Sequence, residues 1–330
     1  MDSQNKRFEF VPFTTQVLQR KVFPREGEIK LGERLKALDN HAGSRYYLIG
    51  INEDIGPQAN HGKSGSLGAF DSFLDYFLNI QSNEHLAGDN ICVLGQVNQM
   101  YSHADVEASR LMVEELDNFV LQILNEYLPE DAVPIVIGGG HNNAYPLIKW
   151  SFQKLSHPIN VINIDPHADL RPLEGRHSGN PFSYAISEGM LNKYHVMGLH
   201  QSYNSQYILD ELRTKECVYS FFEDYVRGES FSKDLERFFE SVSQREYGID
   251  LDLDAIENMP TSAITPSGIS IQQARKYICK MGNSPKVQYF HLPEAAPVAV
   301  DKLKYLVGKT LSYFVSDFIK MNMQAVNHKK

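Results

Sequence analysis

Short apolar runs alternate with longer amphipathic segments along most of the chain, and this alternation restricts the fold more than any other feature. Seven runs have the length and composition of buried strands, at 46–51, 90–95, 133–138, 159–164, 194–199, 245–253 and 286–292. Apolar residues at helical spacing follow in 102–128, 142–155, 202–214, 232–243 and 270–280. The order predicts an α/β fold in which helices cover both faces of a mostly parallel, doubly wound sheet.

Length and composition favour one domain over residues 1–330, with an irregular lead-in of about 30 residues and a frayed C-terminal tail, 322–330. The longest predicted loop spans 50–66. A net charge of -9 with dispersed Lys and Arg argues against nucleic acid as a partner. Absence of a long apolar segment argues against a membrane partner, and the three cysteines suit reduced thiols in a cytoplasmic protein.

Acids and histidines are concentrated just after four of the predicted strands. In parallel sheets the strand ends meet at one edge, where ligands collect. Alternate positions along an extended segment share a face. The side chains at 165, 167 and 169 are therefore expected to converge if the backbone stays extended, and so are those at 252 and 254. The residues at this edge are His141, Asp165, His167, Asp169, Asp250, Asp252, Asp254 and Glu294.

Such a cluster of carboxylates repels itself in a low-dielectric site unless cations neutralise it or some of the acids are protonated. Two divalent cations meet that need, and oxygen and imidazole ligands without a thiolate suit manganese, or else iron, zinc or cobalt. Each motif taken alone is more ordinary: a D-x-D is often a turn or helix cap, and a histidine after glycines is often a loop residue.

The motifs that carry these residues resemble those of the ureohydrolases, the family of arginase, agmatinase and formimidoylglutamase. The similar stretches are "GGGHNNAYP", "DPHADLRP", "DLDAI" and "LPEAAP", in order within about residues 45–315. The resemblance implies a three-layer α/β/α sandwich, two Mn²⁺ per chain, and a homo-oligomer that is a trimer or hexamer.

Carried over by position, the resemblance implies two ligand sets. One ion is expected to take His141, Asp165, Asp169 and Asp252, and the other His167, Asp165, Asp252 and Asp254. The "DLDLD" stretch leaves the register open, since Asp250 also falls on this strand face at a position that is usually small and uncharged in the family.

Catalytic and substrate-binding roles are expected for neighbouring residues. Asp169 accepts and relays the proton of the attacking water, and Glu294 binds cationic nitrogens of the substrate. His177 is a candidate proton shuttle, although "HSGNP" has one residue more than the arginase pattern, and an idle loop histidine is the alternative. Ser178 and Asn180 are candidate substrate-binding residues.

Arg171 distinguishes between members of the family. An arginine two residues past Asp169 suits a bidentate pair with the free carboxylate of a small-molecule substrate, or else a structural salt bridge. With "SGNPF" it favours hydrolysis of N-formimidoyl-L-glutamate, a step of histidine degradation. The alternatives are an arginase, agmatinase or guanidino-acid hydrolase that releases urea, and a non-catalytic scaffold.

Overall fold

The computed structural model describes residues 7–62, 65–101, 105–297 and 301–327. Within these residues ten strands form one sheet. They are β1 (Phe8–Pro12), β2 (Lys36–Ala37), β3 (Tyr46–Asn52), β4 (Ile91–Gln99), β5 (Val133–Ile137), β6 (Ile159–Ile164), β7 (Leu191–Leu199), β8 (Val218–Phe221), β9 (Tyr247–Leu251) and β10 (Val287–Leu292).

The sheet order is β1-β4-β3-β5-β10-β9-β6-β7-β8, with β2 paired to β4. All pairings are parallel except that of β1 with β4, which is antiparallel. The four central strands β5, β10, β9 and β6 are therefore neighbours that point the same way, so their carboxyl ends lie side by side. This arrangement decides where the functional residues meet.

Helices cover both faces of the sheet. They are α1 (Thr15–Gln19), α2 (Ile55–Ala59), α3 (Ala69–Phe77), α4 (Val106–Tyr127), α5 (Ala144–Leu155), α6 (Pro181–Ser187), α7 (Gln206–Thr214), α8 (Phe222–Val226), α9 (Phe231–Val242), α10 (Ile271–Gly282) and α11 (Asp301–Asn327). One apolar core lies under α3, α9, α10 and α11, and the other lies under α2, α4, α5, α6 and α7.

Alternation along the strands explains why there are two cores. On β3, Tyr46 and Leu48 join one core, whereas Tyr47, Ile49 and Ile51 join the other. A strand that is buried on both sides needs apolar residues at successive positions, which is the continuous pattern that predicted these strands. The three-layer α/β/α sandwich with a mostly parallel sheet is confirmed.

The structure corrects the predicted ends of the chain. The lead-in is not irregular throughout, because β1 pairs with β4 over Phe8–Pro12 and α1 follows it. The tail is not frayed as far as Asn327, because α11 runs to that residue; 328–330 lie outside the described residues. The elements α11, α3 and β8 were not predicted from the sequence.

Two further expectations change in detail. The predicted loop 50–66 contains α2, and residues 63 and 64 lie outside the described part. The helix predicted over 102–128 begins at Val106, where the Asp105 side chain accepts the N–H of Ala108. Residues 102–104 of the predicted helix lie outside the described residues. Among the described helices, none has both the length and the apolar character that crossing a membrane requires.

Close packing of α11 on α3 gives a test of the fold. A Cβ at Gly308 would lie 2.1 Å from the main-chain oxygen of Ser72, so Gly308→Ala is expected to lower the free energy of unfolding. The expected loss is about 1–3 kcal/mol, despite the better helix propensity of alanine. Gly282→Ala is the matched control, since the nearest atom to its Cβ would belong to the Phe318 ring, at 3.1 Å, and the nearest main-chain atom would be 3.6 Å away. Equal stability of the two variants in urea unfolding would contradict the packing argument.

Candidate active site

Four neighbouring strands deliver the predicted site residues to one edge of the sheet. The chain leaves β5 before His141, β6 before Asp165, β9 before Asp252 and β10 before Glu294. These strands are adjacent in the order β5-β10-β9-β6, so residues that are far apart in sequence come together. The edge is the one at which parallel sheets bind ligands.

Three glycines carry the chain from β5 to His141. Gly138 and Gly139 have φ of 89° and 71°, in the left-handed region that favours glycine. A Cβ on Gly138 would lie 2.7 Å from the main-chain oxygen of Ile51. The turn brings His141 to the start of a 3₁₀ turn, His141–Asn143, with its ring completely buried.

Glu53, a buried acid just after β3, holds this turn in place. Its Oε1 accepts the N–H of Gly140 at 2.7 Å and an Asn143 side-chain N–H at 2.8 Å. Its Oε2 accepts the N–H of Gly56 at 3.0 Å. Sequence reasoning missed Glu53, although an acid at the end of a fifth strand on the same edge was a visible signal.

The segment after β6 turns instead of staying extended, which corrects the geometric argument for the D-x-H-x-D motif. Oδ1 of Asp165 accepts the N–H of His167 at 2.7 Å, and Asp169 has a φ of 50°. Asn204 fixes the turn by accepting the N–H of Ala168 and donating to the main-chain oxygen of Pro166. The three side chains converge because of this turn and not because of strand alternation.

The segment after β9 folds in a similar way. Oδ1 of Asp252 accepts the N–H of Asp254 at 2.9 Å, and a 3₁₀ turn covers Leu253–Ala255. The expected shared strand face of Asp252 and Asp254 is therefore also replaced by a turn. Asp250, in contrast, lies within β9 and is fully buried.

The first group of candidate ligands surrounds Nδ1 of His141. Oxygens of Asp165, Asp169 and Asp252 lie 3.2, 3.0 and 3.0 Å from this nitrogen. Despite these short distances, Nδ1 makes no hydrogen bond of acceptable geometry within the described residues. A buried nitrogen crowded by three carboxylates without aligned hydrogen bonds is the arrangement expected of side chains that share a cation. The four members match one predicted ligand set.

The second group lies beside the first. Nδ1 of His167 is 3.5 Å from Oδ1 of Asp165 and 3.4 Å from Oδ2 of Asp254. Asp165 belongs to both groups and faces them with different oxygens, Oδ2 for His141 and Oδ1 for His167. Asp252 falls in the first group only, by ligand-atom distances. Two adjoining groups of candidate ligands with a shared carboxylate could hold two metal ions.

The pKa values at this edge show an excess of negative charge. Burial, with Asp254 and Asp165 nearby, raises the pKa of Asp252 well above its usual range. Burial also raises the pKa of Asp254 to about 6, against the effect of His167. Burial by itself lowers the pKa of His141, but contacts with the surrounding carboxylates raise it well above 6.5. The cluster thus binds protons tightly, as expected where positive charge is needed.

A cavity of about 410 Å³ opens onto both groups. Arg171 and Ser178 line it, as do His167, Asp169, Asp252, Asp254 and Glu294. The Arg171 side chain is 48% exposed, and its Nε and Nη2 lie 3.4 and 3.3 Å from Oε1 of Glu174. The arginine therefore faces solvent at a cavity wall, where a bound carboxylate can reach it.

Glu294 lies at the inner wall of the cavity. Its Oε1 accepts the N–H of His141 at 2.9 Å, and its Oε2 accepts the Ser262 hydroxyl at 2.8 Å. Burial and the nearby Asp252 raise the pKa of Glu294 to about 8. Its φ of 67° is unusual for a residue other than glycine, which fits a strained position at a functional site.

Two of the predicted residues, His177 and Asn180, lie outside the cavity lining, and their predicted roles stay predictions. His177 is buried, with Nδ1 accepting the N–H of Gly179 and Nε2 next to Glu174. Burial and two nearby arginines lower its pKa to about 4. The Asn180 side chain is fully used in holding its own loop, with hydrogen bonds to Arg176, His177, Pro172 and Gly175.

Arg176, which sequence reasoning did not single out, anchors that loop. Its guanidinium pairs with the buried Asp117 at 2.9 Å and donates to the main-chain oxygen of Asn142 at 3.1 Å. It also lies over the rings of Tyr145 and Tyr184, at 4.5 and 5.0 Å from their centroids. The Arg176 guanidinium thereby joins the loop of His177 and Asn180 to the His141 turn.

A family model described as the Arginase family matches residues 46–307. The chain belongs to the arginase family. The family assignment makes it a metal-dependent hydrolase of amidine or guanidino substrates, as the motifs predicted. The chain is 27% identical to the formimidoylglutamase of Streptococcus pyogenes serotype M6 over 267 residues, which are 77% of this chain and 78% of that relative.

Solved structures agree on the fold. The Trypanosoma cruzi formiminoglutamase with Mn²⁺ superposes with a TM-score of 0.71 at 22% identity, over 88% of this chain and 98% of that one. The Bacillus subtilis formimidoylglutamase superposes with a TM-score of 0.74 at 18% identity, over 92% and 94%.

Removing the charge of Glu53 tests how the His141 turn is held. In Glu53→Gln, the side-chain NH₂ would face the main-chain N–H of Gly56 or Gly140, so that two donors meet and one hydrogen bond is lost. The free energy of unfolding is expected to fall by about 1–3 kcal/mol. Manganese affinity should fall with it, because His141 is no longer fixed. Asp54→Asn is the matched control, since the bonds of Asp54 go to Gln58 and Gly65. Titration with Mn²⁺ and urea unfolding measure both effects; indistinguishable variants would refute the anchor role.

Proposed function

We propose that the chain is a formimidoylglutamase that hydrolyses N-formimidoyl-L-glutamate to L-glutamate and formamide with two Mn²⁺ ions. The observation that carries the proposal is the half-exposed Arg171 side chain, which lines the same cavity as the acidic cluster and pairs with Glu174 at 3.3 Å. The name of the Streptococcus pyogenes relative supports the same substrate.

We assign the first ion to His141, Asp165, Asp169 and Asp252, and the second to His167, Asp165, Asp252 and Asp254. Oxygen and imidazole donors without thiolates suit manganese, and the Trypanosoma cruzi formiminoglutamase was solved with Mn²⁺. The crowded Nδ1 of His141 supports the first set. When bound, such a pair supplies positive charge that lowers the pKa of water and stabilises a developing oxyanion.

Side chains of the cavity bind and orient the substrate. We assign the glutamate carboxylate to Arg171, whose planar guanidinium matches it in a bidentate pair. Ser178 lies on the same cavity wall and donates or accepts a further hydrogen bond. Glu294 accepts from the amidine N–H groups, because a carboxylate has about four acceptor sites and Glu294 uses two of them internally.

The reaction breaks the bond between the formimidoyl carbon and the glutamate nitrogen. The oxygen of water becomes the carbonyl oxygen of formamide, and the glutamate nitrogen leaves as an amine after gaining a proton. We assign the acceptance and return of that proton to the Asp169 carboxylate, which lines the cavity. His177 is left out of this step because both of its ring nitrogens are engaged within the loop.

The homo-oligomeric state, trimer or hexamer, and the cytoplasmic location stay predictions.

A panel of substrates separates this proposal from its nearest alternatives. Purified protein loaded with Mn²⁺ is expected to release formamide from N-formimidoyl-L-glutamate, and far less urea from arginine, agmatine or a guanidino acid. Product identification by chromatography decides, and Asp252→Asn serves as the inactive control for contaminating activity. A higher kcat/KM for any urea-releasing substrate would overturn the assignment, as would no turnover by protein that carries two ions.

Arg171→Ala tests the carboxylate subsite. A charge-assisted bond is worth about 1.5–3 kcal/mol, so KM for N-formimidoyl-L-glutamate is expected to rise by about 10- to 100-fold, with kcat changed less. The matched control is a formimidoyl amine that lacks carboxylates, for which the wild type and the variant should have the same KM. Steady-state kinetics measure both, and an unchanged KM for the glutamate derivative would remove Arg171 from the subsite.

A further inference from the structure

Asp250 belongs to a second buried polar cluster behind the candidate metal site. It lies inside β9, two residues before the acids at the strand end, and its side chain is fully buried. The His141 ring separates the two clusters. Its Nδ1 faces the carboxylates of the first candidate ion, whereas its Nε2 lies 3.5 Å from Oδ1 of Asp250.

The Asp250 carboxylate is held by side chains of β10. Its Oδ1 lies 2.8 Å from Nδ1 of His291, and its Oδ2 accepts the Tyr289 hydroxyl at 2.9 Å. Gly248 makes room for this ring, since a Cβ there would lie 2.1 Å from Cζ of Tyr289. His291 and Tyr289 thus fix one carboxylate in the interior, where burial is costly without a partner of opposite charge or a hydrogen-bond donor.

The role of this carboxylate follows from what His141 needs. A histidine that binds a cation through Nδ1 carries its proton on Nε2, and a buried Nε2–H needs an acceptor. Within the described residues, Nε2 has no hydrogen bond of good geometry, and its one ion-pair contact is with Asp250. Catalytic hydrogen bonds are often long before the site is loaded, so 3.5 Å is compatible with this pairing.

We infer that Asp250 is a positioning residue that accepts the Nε2 proton of His141 and so directs the Nδ1 lone pair toward Asp165, Asp169 and Asp252. The inference rests on the proposed dinuclear function and deepens it, since it names the group that orients one ligand. It also resolves the "DLDLD" register: Asp252 and Asp254 bind ions, and Asp250 supports a ligand from behind.

By distance alone, His141, Asp250 and His291 could also hold an ion of their own. Two observations favour the positioning role. Both oxygens of Asp250 already have partners on β10, and one of these partners is a tyrosine hydroxyl that donates a hydrogen bond. An ion there would also have to share the His141 ring with the first site.

Two substitutions at Asp250 separate charge from hydrogen bonding. Asp250→Asn keeps the volume and an acceptor oxygen, while Asp250→Ser removes the acceptor from reach. Loss of a group that orients a metal ligand costs about 10- to 100-fold in affinity. We therefore expect the Mn²⁺ affinity of the His141 site to fall about 10-fold in the Asn variant and about 100-fold in the Ser variant. The affinity of the His167 site should be unchanged.

Tyr277→Phe is the control for damage to the core. Its hydroxyl is buried and bonds to the main-chain oxygens of Asp250 and Ile162, not to the carboxylate. This variant should lose stability while both Mn²⁺ affinities stay at the wild-type values. Free Mn²⁺ is counted by its EPR signal during titration, thermal unfolding reports stability, and kinetics at saturating Mn²⁺ should show a lower kcat with KM unchanged for the Asp250 variants.

The outcomes are distinct. Wild-type affinity at both sites in Asp250→Asn, which is expected to fold because it is isosteric, overturns the inference and leaves the proposed function intact. A third equivalent of Mn²⁺ in the wild type that is lost in Asp250→Asn also overturns it, because Asp250 then binds its own ion. A wild type that binds no Mn²⁺ overturns the inference and the proposed function together. Selective weakening of one site in both variants supports the inference.

Discussion

Mutual repulsion among buried carboxylates is the constraint on which the rest of this structure depends. Asp165, Asp252 and Asp254 are almost completely removed from water and lie within one small edge of the sheet, with Glu294 beside them. Burial and neighbouring negative charge raise the pKa values of Asp252, Asp254 and Glu294. Two histidines compensate only part of this charge. A pair of divalent cations would neutralise the excess negative charge. The same carboxylates that cost stability without cations therefore favour cation binding.

The backbone around the cluster explains how such a costly arrangement is kept. Asp165 and Asp252 each use one oxygen to accept the N–H two residues later, which makes the turn and the ligand interdependent. Glu53 holds the His141 turn, and Asn204 holds the turn that follows β6. These supports lie in the interior or at loop bases, where they are shielded from solvent. Metal binding and local folding are therefore expected to be coupled, because the carboxylates of Asp165 and Asp252 are also part of the turns that present them.

Much of this could be read from the sequence, for a definite reason. Strands buried on both faces have continuous apolar runs, so β3, β5, β6, β9 and β10 were visible, and so were the residues at their ends. What alternation predicted wrongly was the geometry beyond the strands, because side-chain hydrogen bonds in the turns override strand periodicity there. Sequence also could not show that the side chains of His177 and Asn180 form hydrogen bonds within their own loop, because these contacts depend on how the loop closes. Edge strands lacked a distinctive pattern, since pairing at long range determines them.

Acids inside a strand and acids just past its end lie in different surroundings. Past the end, a side chain lines the cavity, as those of Asp252 and Asp254 do. Inside the strand, two residues earlier, Asp250 faces a dry interior and is fixed by Tyr289 and His291 on the next strand. His141 spans the boundary, with one nitrogen on each side. In the proposed arrangement, a rigid sheet sets the orientation of the His141 ligand, which follows a glycine-rich turn, and the three acids of the D-x-D-x-D run are divided between support and ion binding.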